Sequence, residues 1–368
     1  MRLRDLKLTG YRNCKNINLN FDAEKILIIG KNAQGKTNIL ESIYFLSALK
    51  SPRTSNNIEL INFDFEKAEI NCNLIKSDTE IELDFSYSKE KKRELALNKV
   101  KTTPKNFKSV LKTVLFSTSD LLLLRGNPSD RRNWLDNAIS QIYPAYDERL
   151  SKYDKIRVQK NNLIKDYLKT GYINNTLLDV YNEQLVITGS NIIYLRKKFL
   201  KEIEKIASEK HKIISITETL NINYNCSFLQ NETELEDIVN AFQKSIKERQ
   251  TEEIRRGQSC VGPHRDDIIF LINNNEATKY ASQGQQRTIV LALKLSELDL
   301  ITKKTGDEPI LLLDDVLAEL DDIRQNYLLK SIEKNIQTII TSVDTILFEK
   351  EFLKNVKIYK IENGDILI

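Results

Sequence analysis

Alternation of apolar and polar residues is the dominant pattern near the start of the chain. Apolar side chains recur at close to every second position in segments 3–8, 17–21, 70–74 and 81–85. A period of two predicts strands that each bury one face. Lys76-Ser77-Asp78 separates the last two segments and predicts a hairpin turn between them.

Two other segments are apolar without interruption. Ile26–Ile29 and Ile310–Leu313 contain only isoleucine and leucine, and such runs are typical of parallel strands that are buried on both faces. A helix-like stretch, Asn38–Leu49, follows the first run. The two runs therefore predict an α/β domain whose strands come from distant parts of the chain.

The middle of the chain has the period of helices. Apolar side chains in residues 177–206 recur mainly at spacings of three, four and seven, which predicts a long amphipathic helix. A second helix is predicted from about Pro144 to Lys169, and Thr170-Gly171-Tyr172 separates the two. A mainly helical arm thus interrupts the α/β domain, and the predicted segments are 1–120, 121–256 and 257–368.

The turn after the first apolar run carries a phosphate-binding motif, G-x-x-x-x-G-K-[ST]. The backbone N–H groups of such a loop and of the helix after it form a cradle for phosphate oxygens. Lys36 would place a positive charge at the β- and γ-phosphates of ATP, and Thr37 would offer its hydroxyl to Mg²⁺. The predicted nucleotide-binding residues are Gly30, Lys31, Asn32, Ala33, Gln34, Gly35, Lys36, Thr37 and Asn38.

Two acidic residues end the second apolar run. Because ligands gather at the carboxyl ends of parallel strands, we expect Asp314 to bind Mg²⁺, directly or through water. Asp315 is the candidate to orient and polarise the attacking water, which would make it the catalytic residue. For these two residues taken alone, an exposed acidic turn after a core strand is the alternative explanation.

A further anion site is predicted at the start of a helix that runs to Leu300. Ser282 is a good N-cap and Gly284 keeps the first turn open, and a helix N-terminus attracts anions. Since the chain has only one full phosphate loop, we expect a symmetric dimer in which this segment of one subunit caps the nucleotide of the other. A capped surface helix is the alternative explanation. The signature segment consists of Ser282, Gln283, Gly284, Gln285 and Gln286.

Together these motifs resemble the ABC-type ATPase head of the SMC superfamily, and within it the RecF family almost from end to end. The resemblance implies an α/β fold, a P-loop ATPase head with a mixed sheet, and it identifies Glu319, Leu320 and Asp321 as the D-loop. Other segments similar to that family are 6–13, Arg53-Thr54, 59–61, 131–136 and 262–267.

The resemblance also implies a function. It predicts an ATP-dependent homodimer that clamps duplex DNA near single-strand gaps, with slow ATP hydrolysis for release. It places the chain in recombinational repair and replication-fork maintenance, with RecR and RecO as partners and RecA as the recombinase that is loaded. The alternatives are an ABC transporter ATPase subunit and a clamp that binds ATP without hydrolysing it.

The chain departs from ABC ATPases in general at three points. Asp315 stands where a glutamate is usual, Ser342-Val343-Asp344 follows the next strand without a histidine, and we find no convincing Q-loop glutamine. Loss of a γ-phosphate contact weakens transition-state stabilisation. These departures predict slow turnover.

Composition limits the remaining possibilities. The 368 residues carry 56 basic and 52 acidic side chains, a net charge of +4, so any DNA-binding surface must be local. Lysines that contact phosphates supply affinity without reading sequence. The first candidates for DNA contact are Lys105, Lys108 and Lys112, and Lys152 and Lys155 of the arm are the second.

The remaining composition favours a cytoplasmic protein without a membrane anchor. The four cysteines show no C-x-x-C pair and the chain has two histidines, so a structural zinc site is not expected. We find neither a signal peptide nor an apolar run of the roughly 20 residues that span a bilayer.

Overall fold

The computed structural model describes residues 1–172, 174–229, 233–332 and 336–367. The chain forms two compact units. One, the two-sheet unit, contains residues 1–122, 213–216 and 287–368; the other, the helical unit, contains residues 123–212 and 217–286.

The strands in chain order are β1 (Arg2–Tyr11), β2 (Cys14–Asn20), β3 (Lys25–Ile29), β4 (Lys67–Lys76), β5 (Thr79–Ser88), β6 (Lys92–Leu97), β7 (Val100–Lys101), β8 (Thr113–Ser117), β9 (Leu220–Asn225), β10 (Asp267–Ile272), β11 (Asn275–Glu276), β12 (Ile310–Asp314), β13 (Thr338–Ser342), β14 (Val356–Glu362) and β15 (Asp365–Leu367). The helices are α1 (Lys36–Ala48), α2 (Pro104–Val110), α3 (Pro128–Ile142), α4 (Tyr146–Thr170), α5 (Asn175–Ile214), α6 (Leu235–Arg256), α7 (Ala277–Tyr280), α8 (Gln283–Thr305), α9 (Asp322–Ser331) and α10 (Lys350–Leu353).

The first sheet of the two-sheet unit is antiparallel, in the order β2-β1-β4-β5-β6-β7. Ser77 and Asp78 join β4 to β5 with φ of 47° and 61°. Both residues of a two-residue hairpin loop need positive φ when the turn follows the twist of the strands. The predicted hairpin is confirmed.

The second sheet has the order β15-β14-β3-β13-β12-β8. All neighbours in it are parallel except β14 and β15. Both uninterrupted apolar runs therefore lie in the interior of a parallel sheet, as predicted. Since β13 lies between β3 and β12, the ends of all three strands meet at one edge.

Helix α1 helps to join the two sheets through a common core. Ile39, Leu40 and Ile43 of this helix are fully buried and pack in one cluster with side chains of both sheets, among them Leu8 and Leu312. A run of buried side chains at helical spacing fixes the direction in which α1 leaves the phosphate loop.

The helical unit contains the predicted long helices as α4 and α5, and Gly171 ends α4 with φ of 72°. It also contains a three-stranded sheet in the order β11-β10-β9. Strand β9 was not predicted, although Leu220, Ile222 and Tyr224 alternate with asparagine. Because β9 pairs with β10, residues 257–286 group with the helical unit rather than with the last of the three predicted segments.

Among the residues that the structure describes, no helix combines the length and the apolar character needed to cross a membrane.

Candidate nucleotide-binding site

The phosphate loop connects the end of β3 to the start of α1. Gly30 N donates to Ser342 O at 3.3 Å, and the loop turns through Ala33 at φ 64° and Gly35 at φ 109°. Gly35 occupies the N-cap position of α1, where no side chain within the described residues makes a capping hydrogen bond. The first N–H groups of α1 are therefore left for an anion.

Lys36 lies folded over the loop. Its side chain is only 4% exposed, and Nζ donates to Gly30 O at 2.7 Å and to Lys31 O at 3.2 Å. The same nitrogen is 3.9 Å from Asp315 Oδ2. The loop carbonyls thus hold the ammonium within the loop that carries the phosphate-binding motif.

Asp314 and Thr37 are brought together from positions far apart in the sequence. Asp314 Oδ1 accepts hydrogen bonds from Thr37 Oγ1 and Thr341 Oγ1, each at 2.9 Å. Burial raises the pKa of the Asp314 carboxyl, and the hydrogen bonds from the two threonines oppose that rise. The hydrogen bond from Thr37 to Asp314 therefore brings the two predicted Mg²⁺ ligands into contact.

These residues suit Mg²⁺ better than a cation that needs many ligands from the protein. Mg²⁺ is usually bound by one or two protein oxygens together with substrate phosphates. The described residues contain no group of three or more His, Cys, Asp or Glu that could hold a metal by themselves. Any Mg²⁺ here would therefore be held by Thr37 and Asp314 together with the nucleotide.

Thr341 was not predicted as a site residue, yet it holds both acids. Besides its bond to Asp314, its Oγ1 accepts from Asp315 N at 2.9 Å, and Asp315 has the unusual φ of 51°. The parallel register pairs Asp314 with Thr341 on one side and with Ser117 on the other. Knowledge of the strand order would have identified both neighbours, and the sequence alone does not give that order.

The first turns of α1 are held by side chains from two segments, one before the helix in the chain and one after it. Asn38 Nδ2 donates to Asn13 Oδ1 at 2.6 Å, and Arg53 Nη1 donates to Asn38 Oδ1 at 2.6 Å. The side chain of Glu41 is fully buried and accepts from Arg12 Nη2 at 2.6 Å. The similar segments 6–13 and Arg53-Thr54 therefore have a role here in fixing the helix beside the phosphate loop.

The signature segment begins helix α8 in the helical unit. Ser282 Oγ accepts from Gln285 N at 3.3 Å, and Gln285 Oε1 accepts from Ser282 N at 2.7 Å. This reciprocal pair is a capping box, and it bears out Ser282 as the N-cap. Gln286 is buried, with Oε1 accepting from Arg125 Nε at 2.9 Å, whereas Ser282 and Gln283 are exposed.

The predicted D-loop residues each have a local structural role. Glu319 accepts from Arg287 Nη2 at 3.0 Å, and Leu320 is buried. Asp321 is the N-cap of α9 and accepts from Arg324 N at 3.0 Å.

Segments 131–136 and 262–267, which also carry the family resemblance, form a buried polar network inside the helical unit. Arg131 donates to both carboxylate oxygens of Asp267, each at 2.8 Å. Arg196 of α5 donates to Asp136 Oδ2 at 2.8 Å and to Pro263 O at 2.7 Å. These contacts explain the two segments by packing, without a ligand.

The five candidate DNA lysines differ in exposure. Lys105, Lys152 and Lys155 are exposed. Lys108 and Lys112 are buried, and Lys112 Nζ donates to Lys108 O at 3.2 Å. Burial lowers the pKa of Lys112 to about 8. An ammonium that is enclosed in this way does not reach a phosphate, which argues against Lys108 and Lys112 as contact residues.

Comparison with known proteins agrees with this geometry. The family described as the RecF/RecN/SMC N terminal domain matches residues 2–366. DNA replication and repair protein RecF of Bacillus velezensis is 38% identical over all of this chain and all of its own length. RecF of Bacillus subtilis is also 38% identical, over 99% of each chain.

Solved structures give the same result. The recombination mediator protein RecF with ATP, in the RecFOR pathway, superposes with a TM-score of 0.91 at 34% identity and covers 100% of this chain and 98% of that one. An SMC head bound to the C-terminal winged-helix domain of ScpA has a TM-score of 0.57 at 15% identity, over 100% of this chain and 98% of that one, which shows a shared fold. The α/β head and the inserted arm are thus confirmed at the level of the fold, and the chain belongs to the RecF family of DNA replication and repair proteins.

Proposed function

We propose that this chain binds Mg²⁺ and ATP at the phosphate loop and uses them as a switch for DNA binding. The observation that carries the proposal is the 2.9 Å hydrogen bond between Thr37 and Asp314, which joins the two predicted magnesium ligands next to an uncapped helix N-terminus. Loop N–H groups and Lys36 would bind the phosphates. Asp315 would orient the attacking water, since its side chain is one-third exposed next to Lys36.

ATP would join two copies of the chain. Ser282 and Gln283 are exposed at the start of α8, so their polar groups are accessible to the nucleotide of a second copy. The capping box uses the Ser282 hydroxyl as an acceptor, and its O–H remains a donor. A signature segment that supplies donors in trans would make dimerisation depend on ATP.

Light scattering with and without Mg²⁺ and ATP tests the switch. We expect the parent to double its mass with ATP, and Ser282→Arg to bind ATP but remain monomeric, because a bulky cation replaces the exposed hydroxyl. Ser109→Arg is the matched control, since Ser109 is an exposed serine of α2. Normal ATP-dependent dimerisation of Ser282→Arg would contradict the proposal that Ser282 of one copy contacts the nucleotide of the other.

DNA would be held through its backbone. We expect the closed dimer to prefer duplex DNA next to single-strand gaps, to show little sequence preference, and to act with RecR and RecO in helping to load RecA. RecF in the RecFOR pathway supports this role by similarity. The exposed lysines Lys105, Lys152 and Lys155 are the proposed contacts, and they supply affinity without sequence information.

Salt dependence tests the DNA contacts. For duplex DNA, the logarithm of the binding constant should fall against the logarithm of salt with a slope of about −0.9 per neutralised phosphate. Replacing Lys105, Lys152 and Lys155 by Ala should weaken binding and make that slope shallower. The control replaces Lys99, Lys101 and Lys354, whose charges are already paired with acids. Equal slopes for both triple variants, or equal binding with and without ATP, would refute the proposed DNA site.

A clamp that binds ATP without hydrolysing it remains the second candidate. It is favoured by the short side chain of Asp315 and by Ser342-Val343-Asp344 at the end of β13, a segment that contains no histidine. Single-turnover hydrolysis by the purified protein separates the two candidates. The transporter alternative is set aside because the relatives that match over the full length are RecF proteins.

A further inference from the structure

The turn between the last two strands lies against the phosphate loop. Strand β14 runs parallel to β3 as far as the pair Lys360 and Ile29, so it reaches the start of the loop. Strand β15 returns from it, with Glu362 opposite Asp365. The two residues between, Asn363 and Gly364, have φ of 52° and 83°, as a two-residue hairpin turn requires.

Both N–H groups of this turn are directed at one residue of the phosphate loop. Asn363 N donates to the side-chain oxygen Oε1 of Gln34. Gly364 N donates to the backbone oxygen of Gln34 at 3.0 Å. The hairpin therefore binds the loop immediately before Gly35, where the chain turns into α1.

At two other points, the backbone of the hairpin and the backbone it packs against are too close to leave room for a side chain. A Cβ added to Gly30 would lie 2.5 Å from Ile361 O, and one added to Gly364 would lie 2.5 Å from Asn13 O. Asn13 in turn lies against Gly35, where an added Cβ would be 2.8 Å from Asn13 Oδ1. The hairpin thus touches the first glycine of the loop directly and the last one through Asn13.

We propose that the turn Asn363–Gly364 is a positioning element that holds the phosphate loop in its binding conformation before nucleotide arrives. The loop binds phosphate through backbone N–H groups, so its affinity depends on how well those groups are oriented in advance. Gln34 has no charge to offer a phosphate, and its two bonds to the turn give it a role within the motif. The inference rests on the proposed nucleotide site.

The variant that tests it is Gly364→Ala, with Gly306→Ala as the matched control. Both glycines have left-handed backbone, with φ of 83° and 76°, so alanine strains both. A Cβ at Gly306 meets nothing within 4 Å, whereas one at Gly364 meets Asn13. A loss of binding found only in Gly364→Ala therefore reports on the phosphate loop rather than on turn strain.

We expect Gly364→Ala to weaken ATP binding about tenfold, the factor that corresponds to losing one to two of the hydrogen bonds that hold the loop. Gly306→Ala should bind ATP like the parent. Its thermal unfolding midpoint should fall less than that of Gly364→Ala, because the added Cβ at Gly306 meets no atom within 4 Å. Amide hydrogen exchange at Gln34 and Lys36 in the nucleotide-free protein should be faster in Gly364→Ala only. If Gly364→Ala does not fold, Gln34→Ala, at a half-exposed position, removes the side-chain acceptor and should show the same exchange change.

The outcomes separate this inference from the nucleotide site itself. Failure of the parent to bind ATP would refute the proposed function. If the parent binds ATP, but both glycine variants match it in affinity and in exchange at the loop, the positioning role is refuted and the nucleotide site stands.

Discussion

The phosphate loop and the buried network of the helical unit are both rich in polar side chains, but they differ in what those side chains contact. At the loop, the N-terminus of α1 is left without a side-chain cap and Lys36 is held by backbone carbonyls. In the helical unit, the Arg196 guanidinium is only 3% exposed and is bonded to Asp136 and to the backbone at Pro263. The first region keeps hydrogen-bonding groups for a ligand, and the second uses them internally.

The comparison shows that similar segments of a family have different physical roles. The motifs at 30–37 and 314–315 meet beside an uncapped helix N-terminus, where we propose that phosphate and a cation bind. The segments at 131–136 and 262–267 bind each other. Substitutions in the first region should therefore change nucleotide chemistry, and substitutions in the second should change stability.

The largest effect is expected for Arg196→Ala. Removal of the guanidinium leaves Asp136 as a mostly buried carboxylate without its partner, and breaking such a pair costs about 3–5 kcal/mol. Urea unfolding measures this loss. Arg157→Ala is the control, because its partner Asp154 is more than half exposed, and we expect a change within about 1 kcal/mol. Similar losses of unfolding free energy in both variants would show that the buried network contributes no more to stability than an exposed ion pair.

Asp315→Asn should slow single-turnover ATP hydrolysis by roughly 100-fold or more, the usual contribution of a positioned general base. ATP affinity should change little, because Thr37 and Asp314 remain in place. Asp314→Asn should slow hydrolysis and should also weaken Mg²⁺ binding, since it removes the carboxylate that Thr37 and Thr341 contact. Equal and mild effects of the two substitutions would contradict the division of roles.

Lys36→Ala should weaken ATP binding by roughly 10- to 100-fold, as expected for loss of a hydrogen bond to a charged group, and should leave the unfolding transition nearly unchanged. Lys36→Arg should retain part of the affinity and fail in turnover, because a planar guanidinium does not reproduce the point charge of an ammonium. Titration with a fluorescent ATP analogue measures the two affinities, and single-turnover hydrolysis measures the loss of turnover. Parent-like binding by Lys36→Ala would contradict the site.

The smallest effect is a pH dependence that arises in the buried network. His264 Nδ1 accepts from Tyr153 OH at 2.7 Å and Nε2 donates to Ser259 O at 3.2 Å, which suits the neutral ring. Burial lowers the pKa of His264 to about 3. Its contribution to stability is therefore present above pH 6.5 and is lost as the pH falls.

That loss should be about 2 kcal/mol between pH 6.5 and pH 5. Asp266 opposes it, because burial raises its pKa to about 6, so its contribution grows as the pH falls. Between pH 6.5 and pH 5, the unfolding free energy of His264→Gln should rise as the pH falls, because only the Asp266 contribution remains. The unfolding free energy of Asp266→Asn should fall more steeply than that of the parent, because only the His264 contribution remains. The same slope in both variants and the parent would show that these groups do not set the pH dependence.

Much of the fold could be predicted because the relevant signals are local. The apolar runs 26–29 and 310–313, the hairpin at Ser77-Asp78 and the long helices follow from periodicity and turn chemistry. Strand β9 was missed because it is short and lies between two long helices. The burial of Lys108 and Lys112 could not be predicted, since it depends on how α2 packs and not on the charge of the segment.

The candidate site divides in the same way. The loop residues and Asp314 are marked by spacing within their own segments. Thr341 and the Asn363–Gly364 turn are not marked, because their roles come from strand order and from close approach of distant backbones. Asn13 belongs to the similar segment 6–13, but that resemblance does not reveal its contact with Gly35. The sequence alone does not show which strands are neighbours.

The most direct test of the account is the gain in unfolding free energy when Mg²⁺ and ATP are added to the parent, Lys36→Ala and Arg132→Ala. At a ligand concentration about 100 times the dissociation constant, the parent should gain about 2.7 kcal/mol. Lys36→Ala should start from the same stability and gain far less. Arg132→Ala, which loses a hydrogen bond to Asp266 O inside the helical unit, should start lower and gain as much as the parent. A full gain in Lys36→Ala, or a lost gain in Arg132→Ala, would contradict the account.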